Sequence, residues 1–196
     1  MKETESLHNE IKSEPPAKSN GLDLSEGGAA GLNDFMKKPM TLTIVGVGLI
    51  SGSFAMALRD KGFATRVIGV SRTEASLQKA KELGLIDEAL PLEEAVKQSD
   101  LIYVAIPVDA TIPMMKKIMD CVTDKQIVVD AGSTKNVLCE SLADHPMRKQ
   151  FVATHPMWGT EYSGPEAAVK GAFVGRACVI CEKEKSDSNA VEIVEN

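Results

Sequence analysis

Residues 41–181 alternate short, β-type apolar runs with segments whose apolar residues recur at helical spacing. No other feature narrows the fold as much. Strands are expected at 41–45, 66–70, 100–106, 126–130 and 151–154, with a last apolar run at 177–181. Helices are expected over 49–61, 73–83, 92–97, 110–121 and 134–143. In the first helix Ile50, Phe54, Ala57 and Leu58 share a face, and Gly62 is a suitable stop. Ser71 or Thr73 starts the second, Gly84 ends it, and Pro113 suits the first turn of the fourth. Strands that alternate with helices need crossovers, which place helices on both faces of a parallel sheet. The expected fold class is therefore α/β, a doubly wound parallel sheet. Such sheets bind ligands beyond the carboxyl ends of their strands.

The 196 residues suffice for one domain with a core and a tail. Residues 1–38 combine Lys, Glu and Ser with Pro15-Pro16 and Gly27-Gly28, carry few apolar residues and show no period. They read as a disordered or non-native tail, with Met36 or Met40 as a natural start. The working domain is expected over 39–183. Beyond it, in 184–196, Ser186-Asp187-Ser188-Asn189 suits a helix cap, and Val191, Ile193 and Val194 open an apolar helix. A helix this short is marginal without partners, so the stretch reads as the start of a helical domain that is otherwise absent, with apolar surface exposed.

A net charge of −6 argues against a general nucleic-acid binder. No apolar run approaches the ~20 residues of a membrane span, and the N-terminus lacks a signal-peptide core. The expected location is the cytoplasm. Cys178 and Cys181 have the spacing of a metal or redox pair, but on a strand residues three apart face opposite ways. A buried or half-buried structural role is expected for them, and no metal site.

Three polar segments fall at expected strand ends. The first is Gly46-Val47-Gly48-Leu49-Ile50-Ser51-Gly52, between a strand and a helix. Gly46 allows the tight turn, and Gly48 lets the backbone approach a pyrophosphate on the helix N-terminus. Leu49 and Ile50 belong to the same cofactor turn. Ser51 holds the third fingerprint position, where glycine is usual; it is small, and Gly52 follows. A Rossmann-type dinucleotide domain is the reading, against a turn that binds nothing. At the end of the second strand Ser71-Arg72 stands where a carboxylate would hold the ribose of NAD. A hydroxyl and a guanidinium suit a 2′-phosphate, which favours NADP over NAD. If Arg72 is merely solvated and Ser71 caps the next helix, NAD stays open.

The other two segments are Asp130-Ala131-Gly132-Ser133-Thr134-Lys135 and His155-Pro156-Met157-Trp158-Gly159-Thr160-Glu161. Together with the glycine turn and Ala105-Ile106-Pro107, they resemble the prephenate/arogenate dehydrogenases of tyrosine biosynthesis. The resemblance runs from about Thr41 to the end of the chain, and its last two motifs are the most specific. It implies NAD(P)-dependent oxidation of a ring alcohol coupled to loss of the ring carboxylate, from prephenate or arogenate. It also implies a homodimer formed through the absent helical domain.

His155 is the candidate acceptor for the alcohol proton, because imidazole titrates near neutral pH and the resemblance gives the matching histidine this role. Ser133 is the candidate to orient the same hydroxyl and to touch the cofactor; Ser133 or Thr134 also suits a helix cap. Lys135 is read as neutralising a cofactor phosphate or a substrate carboxylate, or as solvated. By the resemblance Glu161 lies near the mouth of the site, where it gates or polarises the pocket, or it only binds its own loop; Thr160 is read as substrate-binding, and Trp158 as narrowing the pocket or packing on the absent domain. Ile106 and Pro107 are placed along the cofactor by the resemblance, Pro107 also serving as a plain strand stop. His8 and His145 are read as surface histidines. Two other readings stay open: a nucleotide-binding module without turnover, and another hydroxyacid-type dehydrogenase sharing the cofactor fold.

Overall fold

A computed structural model describes residues 38–196. The tail expected over 1–38, His8 included, lies outside the described residues except for Lys38. The strands are β1 (Met40–Val45), β2 (Ala64–Val70), β3 (Glu88–Ala89), β4 (Leu101–Val104), β5 (Ile127–Asp130), β6 (Phe151–Pro156) and β7 (Cys178–Cys181). The helices are α1 (Leu49–Asp60), α2 (Glu74–Glu82), α3 (Leu92–Lys97), α4 (Val108–Cys121), α5 (Asn136–Leu142) and α6 (Ser188–Glu195). They build one sheet of order β3-β2-β1-β4-β5-β6-β7. All neighbours are parallel except β6 and β7.

Period-two alternation divides the strand residues between two cores. Leu42, Ile44, Tyr103, Val129 and Val152 face α1, α2 and α6 in one cluster, with Ala55, Ala80, Val191 and Ile193. Ile102, Val104, Val128, Phe151 and Ala153 face α3, α4 and α5 in the other, with Val96, Met115, Ile118, Met119 and Leu138. β4 and β5 are buried at every position, as central strands covered on both faces must be. The expected doubly wound α/β sheet is the observed one.

The chain order reverses across the neighbouring strands β1 and β4, so their carboxyl ends open a crevice at the switch point. α1 lies close on the sheet because the residues it buries are small, Ser51, Gly52, Ser53 and Ala55 with Leu49. A Cβ at Gly52 would come within 2.9 Å of the Ala168 Cβ and 3.0 Å of Leu85 Cδ1. The close-packing role of the third fingerprint glycine is therefore carried one residue later, by Gly52.

Several boundaries differ from the sequence reading, each for a local reason. Val104 ends β4, and Pro107 is the cap of α4 rather than a strand stop. That helix therefore starts at Val108 and carries Pro113 in its interior instead of its first turn. α5 begins at Asn136 with Lys135 as its cap, so neither Ser133 nor Thr134 caps it. Thr73, not Ser71, is the cap of α2. β6 extends through Pro156 because β7 pairs with it antiparallel, His155 opposite Val179. The two-residue β3 is too short to carry a period.

α6 is capped as expected: the Asp187 carboxylate accepts from the N–H of Asn189 at 2.9 Å and of Ala190 at 3.3 Å. Its apolar face is not exposed surface, since Ala190, Val191 and Ile193 are buried against the sheet. His145 is likewise not free surface. Its Nε2 lies 3.2 Å from Asp120 of α4, and its Nδ1 accepts from the N–H of Met147 at 3.1 Å. Cys178 and Cys181 are free thiols that diverge: Cys178 is exposed, against expectation, while Cys181 packs on the α4–α5 core. No helix among the described residues is long and apolar enough to cross a membrane.

Candidate active site

The glycine turn is built by constraint from three directions. Gly46 sits at φ +88°, and a Cβ there would lie 2.4 Å from the Ala105 carbonyl oxygen and 2.7 Å from Ile106 Cγ2. Only glycine satisfies both the left-handed backbone and the contact across the switch point. Gly48 differs: the nearest atom to a Cβ would be Gly164 N at 4.0 Å, so packing does not demand its bareness. An open approach to the start of α1 is what a bound pyrophosphate needs. Ser51 is fully buried, accepts from the Gly48 N–H at 3.1 Å, and donates to the Gly46 carbonyl. The departure from the fingerprint thus ties the turn together from inside.

At the end of β2, Ser71 is half-buried and Arg72 exposed. Neither side chain makes a hydrogen bond or ion pair with another described residue. Both remain available to a ligand beside the turn. Ile106 and Pro107 follow β4 on the other side of the crevice, half-buried and exposed respectively, and Leu49 and Ile50 begin α1. These positions line the switch point. The fold therefore fits a dinucleotide by three features: a bare glycine at a helix N-terminus, an uncommitted hydroxyl–guanidinium pair, and the crevice between them.

Ser133 lies in the loop after β5 and His155 near the end of the adjacent parallel strand β6. Ser133 follows β5 by three residues and is exposed, with no side-chain hydrogen bond to the described residues. His155 is half-buried near the end of β6. It opens a cleft of about 570 Å³ with Met157, Trp158, Gly159, Thr160 and Arg176. The Thr160 hydroxyl accepts from the Tyr162 N–H at 3.2 Å, and Glu161 is exposed with no bond to the described residues. Lys135, in contrast, is committed. Its ammonium is ion-paired with the buried carboxylate of Asp130, in a side chain only 10% exposed.

Residues 157–177 run along α1. A Cβ on Gly159 would be 3.9 Å from Ile50 Cδ1, the Val169 N–H donates to Ser53 Oγ at 2.8 Å, and Lys170 pairs with Asp60 at 2.9 Å. Four rings fasten the segment to the sheet. Trp158 meets Phe173 at 5.5 Å, Phe173 meets Phe54 at 6.0 Å, and Phe54 stacks on Tyr103 at 4.0 Å. Trp158 thus packs within the described fold, which locks the backbone next to His155.

The sequence reading missed two members of this neighbourhood. Arg176 enters the His155 cleft from the segment before β7, with no side-chain partner among the described residues. Asp130 was visible in its motif but not singled out; its position at the end of a wholly apolar strand, before small residues, was the available signal. A more apolar cavity of about 420 Å³ lies between α1 and α6, reached by Leu58, Phe173, Cys178 and Ile193. Its lining is mostly apolar, and His155 is not among it.

Comparison with known proteins places the chain in a family. The family described as "Prephenate dehydrogenase, nucleotide-binding domain" matches residues 54–196. A prephenate dehydrogenase of Bacillus subtilis is 32% identical over 160 residues, 80% of this chain and 43% of the relative. The crystal structure of prephenate dehydrogenase from A. aeolicus, in complex with hydroxyphenyl propionate and NAD+, superposes with a TM-score of 0.74 at 31% identity. It covers 81% of this chain and 56% of that one. Synechocystis arogenate dehydrogenase gives a TM-score of 0.71 at 29% identity, over 80% and 55%. The chain spans about half the length of these relatives. By sequence and fold, it belongs to the prephenate dehydrogenase family and comprises the nucleotide-binding domain.

Proposed function

We propose that this chain carries the cofactor half and the acid–base set of an NAD(P)-dependent dehydrogenase that oxidises prephenate or arogenate with loss of the ring carboxylate, in tyrosine biosynthesis. The observation that carries the reading is the placement of an uncommitted Ser133 hydroxyl and a half-buried His155 at the ends of adjacent strands, beside a dinucleotide crevice. A nicotinamide bound in that crevice would supply the hydride acceptor. Ser133 hydrogen-bonds the ring hydroxyl and orients it. His155 takes the hydroxyl proton as the carbinol carbon is oxidised. Loss of carbon dioxide then leaves an aromatic ring, 4-hydroxyphenylpyruvate from prephenate or tyrosine from arogenate. Thr160 and Glu161 border the substrate, and Arg176 offers a cation to a carboxylate in the same cleft.

Ser71 and Arg72 support NADP as the preferred cofactor, because a guanidinium without a partner among the described residues suits a 2′-phosphate. The A. aeolicus relative was solved with NAD+, which keeps NAD as the alternative. The partner is a small anionic substrate; the chain spans about half the length of its relatives, and a homodimer formed through a further helical domain is what the family resemblance implies for the whole protein.

The test is turnover of prephenate and of arogenate with each cofactor, for the wild type and for His155→Asn. The expected result is formation of reduced nicotinamide by the wild type. The variant should lose at least about 100-fold in kcat while its cofactor Kd is unchanged. Cofactor binding without turnover of either acid would reduce the chain to a binding module. Equal turnover by the variant would remove His155 from its role.

A further inference from the structure

The Ser133 loop and the His155 strand are joined through one residue. Asp130 ends β5 with its side chain fully buried. Its Oδ2 accepts from the Gly132 N–H at 3.0 Å and from the Lys135 ammonium, so it grips the loop on both sides of Ser133. Its carbonyl oxygen accepts the Thr154 hydroxyl at 2.6 Å, and Thr154 immediately precedes His155. Its Oδ1 has no partner among the described residues. Burial pushes the carboxyl above its ordinary range, and Lys135 and the Gly132 N–H oppose that rise.

A carboxylate placed here is costly, because a buried charge must be offset by a counter-ion and hydrogen bonds. For stability alone an apolar pair of similar volume would serve as well. What the pair supplies is direction: among the described residues, no other side chain of the loop makes a hydrogen bond or ion pair. Ser133 and Thr134 make no side-chain hydrogen bond with described residues, and α5 begins only at Asn136. A lysine that spends its charge on a buried carboxylate is a poor ligand for a phosphate outside.

We infer that Asp130 is a positioning residue that holds the Ser133 hydroxyl in register with His155. Lys135 is its counter-ion rather than a ligand for cofactor phosphate or substrate carboxylate. The inference rests on the proposed dehydrogenase reading for the role of Ser133, whereas the strut itself does not.

The experiment is a double-mutant cycle in the full-length protein, with Asp130→Asn, Lys135→Met and the two combined. Each single variant should lower kcat roughly 10- to 100-fold, with KM and cofactor Kd within about threefold. The double variant should fall no further than the worse single, since both remove one contact. Lys135→Arg, which keeps the pair, should restore most of the loss. A Lys135→Met variant that raises KM or cofactor Kd more than tenfold, with effects that multiply in the double, would make Lys135 a ligand and overturn the inference. A fall in thermal midpoint with kcat unchanged per folded molecule would reduce Asp130 to a structural residue. The same cycle read in thermal midpoints needs no substrate. Coupled midpoints in a protein that turns over neither acid would defeat the dehydrogenase reading and leave the strut standing. Additive midpoints would defeat the strut.

Discussion

Ser51 shows how one side chain can replace a motif residue without losing the motif's purpose. Its hydroxyl bridges the Gly46 carbonyl and the Gly48 N–H, while Gly52 takes over the tight packing. Ser51→Ala keeps the volume and removes the bridge. It should lower stability by about 1 kcal/mol and weaken cofactor binding, read by thermal melts and titration. An unchanged melt and Kd would show that the turn holds without it. Arg72 is the matching test on the ribose side: Arg72→Ala should weaken NADP roughly 10- to 100-fold and leave NAD within about twofold. Equal loss for both cofactors would refute the phosphate assignment. At this scale the sequence revealed residue types and spacing but not the direction of side chains. Lys135 was legible as a cation in a site loop; that it turns inward to Asp130 depends on the depth of β5, which no spacing reveals.

At the scale of elements, the alternating pattern gave the long helices and the buried strands, because their apolar periods are strong. Ends were less legible where tertiary pairing decides them. β6 runs on through His155 and Pro156 because β7 returns antiparallel beside it, and the direction of β7 has no signal in its own residues. The turn after β7 is held by Glu182, a non-glycine residue at φ 49°. Glu182 bonds Lys185 at 2.9 Å and Arg148 at 3.0 Å, and Arg148 reaches the Phe151 carbonyl. The hydrogen bond from Lys185, then Arg148, holds the Glu182 carboxyl below the usual range against a small effect of burial. Because the folded value is depressed, its contribution to stability is full above the ordinary glutamate pKa and is lost as pH falls through the folded one. Glu182→Gln should therefore flatten the acid limb of a melting-temperature profile, and parallel profiles would refute this. The α6 cap gives a second check. Asp187→Ala should cost about 1 kcal/mol in a denaturant melt, as loss of the carboxylate oxygen that accepts from two backbone N–H groups predicts, and no change would show that packing of Val191 and Ile193 suffices.

Across the whole molecule, two cores clamp one sheet, and every polar segment of interest emerges at the same edge of it. That much was legible, since a parallel sheet puts its strand ends together wherever the helices fall. The path of residues 157–177 along α1 was not. It rests on contacts between rings far apart in sequence, Trp158, Phe173, Phe54 and Tyr103, whose partners cannot be read from spacing. The path joins α1 to the strand that bears His155. The most direct test is a single-turnover measurement of carbon dioxide released per reduced nicotinamide formed, with the full-length protein and prephenate or arogenate. Oxidation coupled to decarboxylation predicts a ratio of one for the wild type and neither product at a comparable rate for His155→Asn. Reduced nicotinamide without carbon dioxide would make this another alcohol dehydrogenase on the same fold, and would contradict the account.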